Sequence, residues 1–262
     1  KPGNTLNIMF LDIHLLKRCL FIDIETVSEA PDYESLSDDQ KRLWDLKTIQ
    51  LQRTFGNENS VIDPTTMYHN KAGIFAEFAK VVCISMGFLS FEDEIPVKIR
   101  LKSLAGNDEK LLLEDFSRLL VNHYNDPENS RICGHNIREF DIPFLCRRMV
   151  INQVKFPPLL DLSGKKPWQT SHIMDTLEMW RFGDFKNYTS LQLLAYTLGV
   201  PSPKDDIDGS MVSDVYWNDN DIERIVTYCQ KDVQTVIQVM MRYAGLPLFD
   251  DKNVEIINQK QE

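Results

Sequence analysis

The sequence predicts an α/β fold, a mixed β-sheet of antiparallel hairpin strands and parallel strands flanked by helices, and three observations predict it. Two β-rich runs, KVVCISMGFLS (80–90) and PVKIRLKSL (96–104), are separated only by the charged turn FEDEI, the pattern of a hairpin. From Ser130 onward, short apolar strands alternate with helical segments, which calls for strands laid beside one another through helical crossovers. The first strand, CLFIDIETV (19–27), is apolar enough to be buried yet carries two acids.

In chain order, residues 1–18 form an N-terminal extension, followed by the strand at 19–27 and the acidic loop SEAPDYESLSDD. A helix is predicted from Gln40 to Leu51, then an irregular stretch of Gly, Asn and Pro from Phe55 to Lys71. The hairpin extends the first strand's sheet. An amphipathic helix, EKLLLEDFSRLLVNHY, is ended by NDPENS. Next come a strand at SRICGHN, a helix from Phe140 to Ile151, a strand near HIMDT, and helices over TLEMWRF and SLQLLAYTLGV. A long helix is predicted from Asp221 to Tyr243, and DDKNVEIINQKQE reads as a loose polar tail. The expected organisation is one domain over 19–245 with an insertion at about 28–79, and a C-terminal tail over 246–262.

The 262 residues are 43% hydrophobic and 26% charged, enough for one large core and unlike a disordered chain. Five cysteines, at 19, 83, 133, 146 and 229, form no C-x-x-C pair, so they read as reduced thiols in a cytoplasmic protein. No run of about 18 apolar residues marks a membrane span. Asp12, His14, Lys17 and Arg18 interrupt the apolar N-terminal stretch, so neither a signal peptide nor a membrane partner is expected. A formal charge of −10 excludes coating of nucleic acid by electrostatics alone. Between Arg131 and Leu191, however, nine Lys or Arg stand against six Asp or Glu, interleaved with Trp168, Trp180, Phe182, Phe185 and Tyr188, the mixture on which single strands stack.

Strand alternation sends Phe21, Asp23 and Glu25 to one face, with the two carboxylates roughly 7 Å apart. Burying two like charges requires a proton or a cation, and Asp-x-Glu on a strand is half of a magnesium site. Two stretches offer the missing ligands. In GHNIREFDIPFL, Asp141 opens a helix after a Gly-bearing strand exit. In YCQKD, Tyr228 and Asp232 lie at i and i+4 and emerge on one helical face.

Taken in order, F-I-D-I-E-T (21–26), N-I-R-E-F-D (136–141) and Y-C-Q-K-D (228–232) resemble the Exo I, Exo II and Exo III motifs of the DEDD 3′ to 5′ exonucleases, tyrosine subtype. The surroundings of the last two motifs are most similar to the exonuclease domain of family B DNA polymerases. The motifs span most of the chain and leave no room for polymerase palm or fingers, so a standalone enzyme is expected. The resemblance implies a ribonuclease H-like fold and a metal-dependent 3′ to 5′ exonuclease acting on a single-stranded 3′ end, DNA ahead of RNA. It implies that Asp23, Glu25, Asp141 and Asp232 hold two Mg²⁺ or Mn²⁺ ions about 4 Å apart, with Tyr228 orienting the attacking water. The histidine subtype carries its histidine where this chain has Thr227. By the same resemblance, Thr26 contacts the terminal nucleotide, Asn136 and Phe140 line the strand channel, and Lys204 in PKDDIDGS touches the scissile phosphate. The alternatives are an inactive nucleic-acid-binding module of the same fold, or a hydrolase of short oligonucleotides or small nucleotides. Nothing in the sequence identifies a protein partner.

Other residues read as structural. FLDIH (10–14) nearly copies the FIDIE spacing but puts His where Glu belongs, so it reads as a surface or sheet-edge segment. His69, His123 and His172 are isolated, His135 reads as a sheet-edge residue, and Asp175 reads as a helix N-cap.

Overall fold

The computed structural model describes residues 11–55, 63–186, 188–201 and 206–257, and in it a six-stranded mixed sheet has the order β5-β4-β1-β2-β3-β6. After a one-turn helix α1 (His14–Lys17), β1 (Cys19–Ser28) pairs antiparallel with β2 (Ala79–Glu92), and β2 with β3 (Ile95–Ala105). β4 (Arg131–Gly134) is parallel to β1, and β5 (Ile173–Asp175) is parallel to β4. Asp93 and Glu94 join β2 to β3 with φ of 44° and 73°, the left-handed pair that lets a two-residue loop follow the strand twist. This is the mixed α/β sheet of hairpin and parallel strands flanked by helices that the sequence predicts.

Period-two alternation in β1 decides what lies on each side of the sheet. Leu20, Ile22 and Ile24 enter a core shared with α4 (Glu109–His123) and α5 (Asp141–Ile151). Cys19 and Phe21 enter another, shared with α7 (Leu191–Thr197) and α9 (Ile222–Tyr243). Asp221 caps α9 by accepting from the Arg224 N–H at 3.1 Å. Ile225, Cys229, Val233, Val236 and Met240 make one buried stripe along α9. That stripe lies close to β2 because Gly87 has no side chain: a Cβ there would stand 2.8 Å from Ile237 Cδ1 and 2.9 Å from Val233 Cγ1.

On the opposite face, Glu109 and Arg148 form a buried bidentate ion pair, with Nη2 to Oε2 at 2.6 Å and Nε to Oε1 at 2.8 Å. Glu109 also accepts from the Val81 N–H, and Arg148 donates to the Ala76 carbonyl, each at 2.8 Å. One ion pair thus ties α4 and α5 to the start of β2.

Between β1 and β2 the chain forms α2 (Asp38–Phe55), α3 (Pro64–Lys71) and a 3₁₀ turn at Ala72–Ile74. They enclose a small core in which Trp44 meets Tyr68 edge-on at 5.3 Å and donates from its indole N–H to the Pro64 carbonyl at 2.9 Å. The sequence reading made 55–71 irregular throughout, and α3 corrects it. Asp63 accepts from Thr66 N–H at 3.1 Å and Pro64 opens the helix, a local start signal that outweighs the turn-like composition around it.

The C-terminal segment also departs from expectation. Val254–Ile256 is β6, parallel to β3, and the Ile257 N–H donates to the Leu101 carbonyl at 2.7 Å. Three residues suffice at a sheet edge, too few for periodicity to reveal among polar neighbours. Two further short α-helices are α6 (Thr176–Arg181) and α8 (Val212–Asp214). Asp175 caps α6 as read from sequence, accepting from Leu177 N–H at 2.9 Å. The FLDIH segment, described from Leu11, leads into α1, with Asp12 accepting from the His14 N–H at 2.9 Å. None of the described helices is long and apolar enough to cross a membrane.

Candidate active site

Four acids reach one place from three elements. Asp23 and Glu25 project from β1 toward α9, Asp23 partly exposed and Glu25 only 7% exposed. β4 pairs with β1 only through Phe21, so the Ile24 N–H has no strand partner on that side, and Asp141 Oδ1 accepts from it at 3.2 Å. Asp141 is the first residue of α5, where the helix end favours negative charge. From α9, Tyr228 and Asp232 stand one turn apart and line the same cleft. Cys229 lies behind Asp23, its thiol 3.3 Å from Oδ2 and 3.4 Å from the carbonyl.

The electrostatics are those of buried acids crowded together. Burial, then the charges of Glu25, Asp232 and Asp141, push Asp23 well above the usual carboxylate range, against the Cys229 hydrogen bond. Burial, then Asp232, Cys83 and Asp141, do the same to Glu25. Burial carries Asp141 up to about 7 despite the N–H groups it accepts. Tyr228 is raised by burial and then by Asp232, so its phenol keeps its proton. Among the described residues no donor or cation contacts the Glu25 carboxylate. An all-carboxylate set with one buried, unpartnered member fits a hard divalent cation.

The acids open into a cleft of about 560 Å³ whose lining includes Asp23, Tyr228, Asp232, His135, Tyr188 and Asp208. Sequence reading placed His135 at a sheet edge and missed its contacts. Its Nε2 lies 2.9 Å from the Thr189 carbonyl and its Nδ1 2.9 Å from Thr176 Oγ1. The first contact assigns the ring proton to Nε2, and burial lowers the pKa. Tyr188 meets that ring edge-on at 6.3 Å, so His135 supports one wall of the cleft. A separate cavity of about 470 Å³, lined by Leu20, Met86 and Phe88, lies on the opposite side of the sheet.

The softer candidates scatter. Thr26 donates its hydroxyl to the Gly73 carbonyl at 2.6 Å, fastening the insertion to β1. Asn136 adopts φ 59°, donates its N–H to Asp175 at 3.0 Å and keeps a buried Oδ1 without a partner. Phe140 caps α5 and leans on Phe144 at 5.5 Å. Lys204 lies outside the described residues. The Cys229–Asp23 contact was not foreseen, since it depends on how α9 is set over β1.

The family model for a predicted 3′–5′ exonuclease related to the exonuclease domain of PolB matches residues 74–252. The chain belongs to this family. The matched residues include Asp141, Tyr228 and Asp232, whereas Asp23 and Glu25 precede them. Among solved structures, the family B DNA polymerase of the hyperthermophilic archaeon Pyrobaculum calidifontis is similar at 18% identity and a TM-score of 0.41. That likeness covers 86% of this chain and 23% of the polymerase, so this exonuclease-family chain spans under a quarter of its length. No curated protein matches the chain.

Proposed function

We propose that the protein is a metal-dependent 3′ to 5′ exonuclease of the tyrosine subtype that shortens single-stranded nucleic acid, DNA in preference to RNA. Asp23, Glu25, Asp141 and Asp232 would hold two divalent ions, Mg²⁺ or Mn²⁺. The observation that carries this reading is the convergence of the four acids, of which Asp23, Glu25 and Asp141 are pushed above the usual carboxylate range by burial and by the charges of their neighbours. When bound, the ions would supply an acidic water and offset charge on the scissile phosphate.

The chain's own residues do the rest. Asp141 is fixed by the Ile24 N–H, and Asp23 and Glu25 by the β1 backbone. Tyr228, kept protonated, serves as a donor that orients a water and not as a base. The preference for DNA rests on family membership, and the reduced thiols fit a reducing compartment such as the cytoplasm.

The test is degradation of 5′-labelled single-stranded DNA and RNA of matched sequence in Mn²⁺, Mg²⁺ or EDTA, beside Asp23→Ala. A metal-dependent ladder shortening from the 3′ end, absent in the variant, is expected. Undegraded DNA and RNA with metal bound would overturn the reading. A second reading, hydrolysis of short oligonucleotides or small nucleotides, is favoured by the cleft wall, which carries Asp206 and Asp208 and, among the described residues, no Lys or Arg. Rates that fall as the strand lengthens would select it.

A further inference from the structure

We propose that Cys229 gives the acid site a sulfur ligand, so that a thiophilic divalent ion such as Zn²⁺ or Cd²⁺ is held by Asp23, Glu25 and Cys229 and arrests the exonuclease. The arrest rests on the function proposed above, whereas the binding does not.

One ligand atom from each of these three residues lies within 4.8 Å of the other two. Cys229 Sγ and Asp23 Oδ2 are 3.3 Å apart. Tetrahedral zinc, with bonds of about 2.3 Å to sulfur and about 2.0 Å to oxygen, requires an O···S separation of about 3.5 Å. The S–H···O contact therefore holds the two atoms near the spacing that a shared ion needs. Glu25 supplies an independent observation: the residue is more than nine-tenths buried, a carboxylate oxygen faces the same point, and it has no hydrogen-bond partner among the described residues. Sulfur sorts the ions, since magnesium seeks oxygen while zinc and cadmium accept thiolate. On binding, the thiol proton leaves for solvent and the sulfur lone pair enters the metal bond, with no change of oxidation state. Cys83 pairs with Glu25 across β1 and β2, and its sulfur lies 3.6 Å from Ser85 Oγ, which makes it the natural control.

The experiment titrates the full metal-free chain with Cd²⁺ and follows the sulfur-to-cadmium charge-transfer absorption in the near ultraviolet. One saturable band per chain is expected. Cys229→Ser and Cys229→Ala should lose it and bind Cd²⁺ at least about tenfold more weakly, while Cys83→Ala keeps it. Circular dichroism reports that each variant is folded. In parallel, Zn²⁺ is titrated against Mg²⁺-supported cleavage, each protein scored against its own uninhibited rate. The half-inhibiting concentration should rise at least about tenfold in Cys229→Ser. A band retained in both Cys229 variants, lost in Cys83→Ala or absent from the parent would overturn the sulfur site. A band without inhibition would overturn the arrest. A band in a parent inactive on every polymer would leave the site standing and sink the proposed function instead.

Discussion

Two buried acids at the two faces of the same sheet make opposite use of burial. Glu109, 8% exposed, accepts from the Val81 N–H of β2 and is matched by the guanidinium of Arg148. Glu25, 7% exposed, has no cation or donor described beside it and lies within the field of three other carboxylates. Similar burial and an acid of the same type give a structural tie in one place and an uncompensated charge in the other. The difference teaches where to look for function: at the charge the fold leaves unmatched, which a ligand must complete.

The hardest way to break this comparison is Asp23→Ala. It should lower exonuclease activity by about three orders of magnitude or more, since several kcal/mol of metal-borne stabilisation go with the ligand. The melting temperature of the metal-free protein should not fall. Activity within tenfold of the parent would refute the site.

Next in size, Arg148→Met should cost about 3–5 kcal/mol in urea unfolding, because it strands a buried carboxylate. Glu25→Gln should instead raise metal-free stability by about 1–2 kcal/mol at pH 8, since it removes an unmatched charge. A destabilised Glu25→Gln would mean that the two sites do not differ as described.

Titration sharpens the contrast. Asp141 titrates near 7 in the folded protein against an ordinary value of 3.8. Between those values the folded state holds a proton that the unfolded chain has released, so this group's contribution to stability falls as pH rises. The penalty is absent below the unfolded value and complete above 7, at up to about 1.4 kcal/mol per pH unit. Metal-free parent should therefore lose more stability between pH 5 and pH 8 than Asp141→Asn does, and Mn²⁺ at pH 8 should recover it. Equal pH profiles for the two proteins would contradict the burial of this charge. The smallest effect is expected of Tyr228→Phe, a drop of about tenfold in rate with metal affinity unchanged. Lost metal binding in that variant would mean that Tyr228 does more than position a water.

The sequence revealed what depends on local period. Asp23 and Glu25 share a face because a strand repeats every two residues, and Tyr228 and Asp232 share one because a helix returns after four. The sheet was legible from the hairpin and the later alternation. Asp141 was legible from its motif, but the Ile24 N–H that fixes it depends on where β4 stops. The Glu109–Arg148 pair joins residues from two helices, and the Cys229 thiol meets Asp23 only because α9 settles at one height over β1. Such contacts belong to tertiary placement and leave no spacing to read. Thr26 shows the converse: its motif points to substrate, while its hydroxyl is held by Gly73.

That height over the sheet is set at Gly87, where Val233 and Ile237 rest against bare backbone. Close packing of this kind leaves the helix little room to settle nearer the sheet. It fixes how far Asp232 stands from the pair on β1, and therefore the ionic radius that the four carboxylates would accept if they held a cation together. A methyl group at Gly87 would be a shim, opening the jaws toward larger cations. The caliper of this site is thus calibrated by a residue with no side chain, on a strand that contributes none of the four acids.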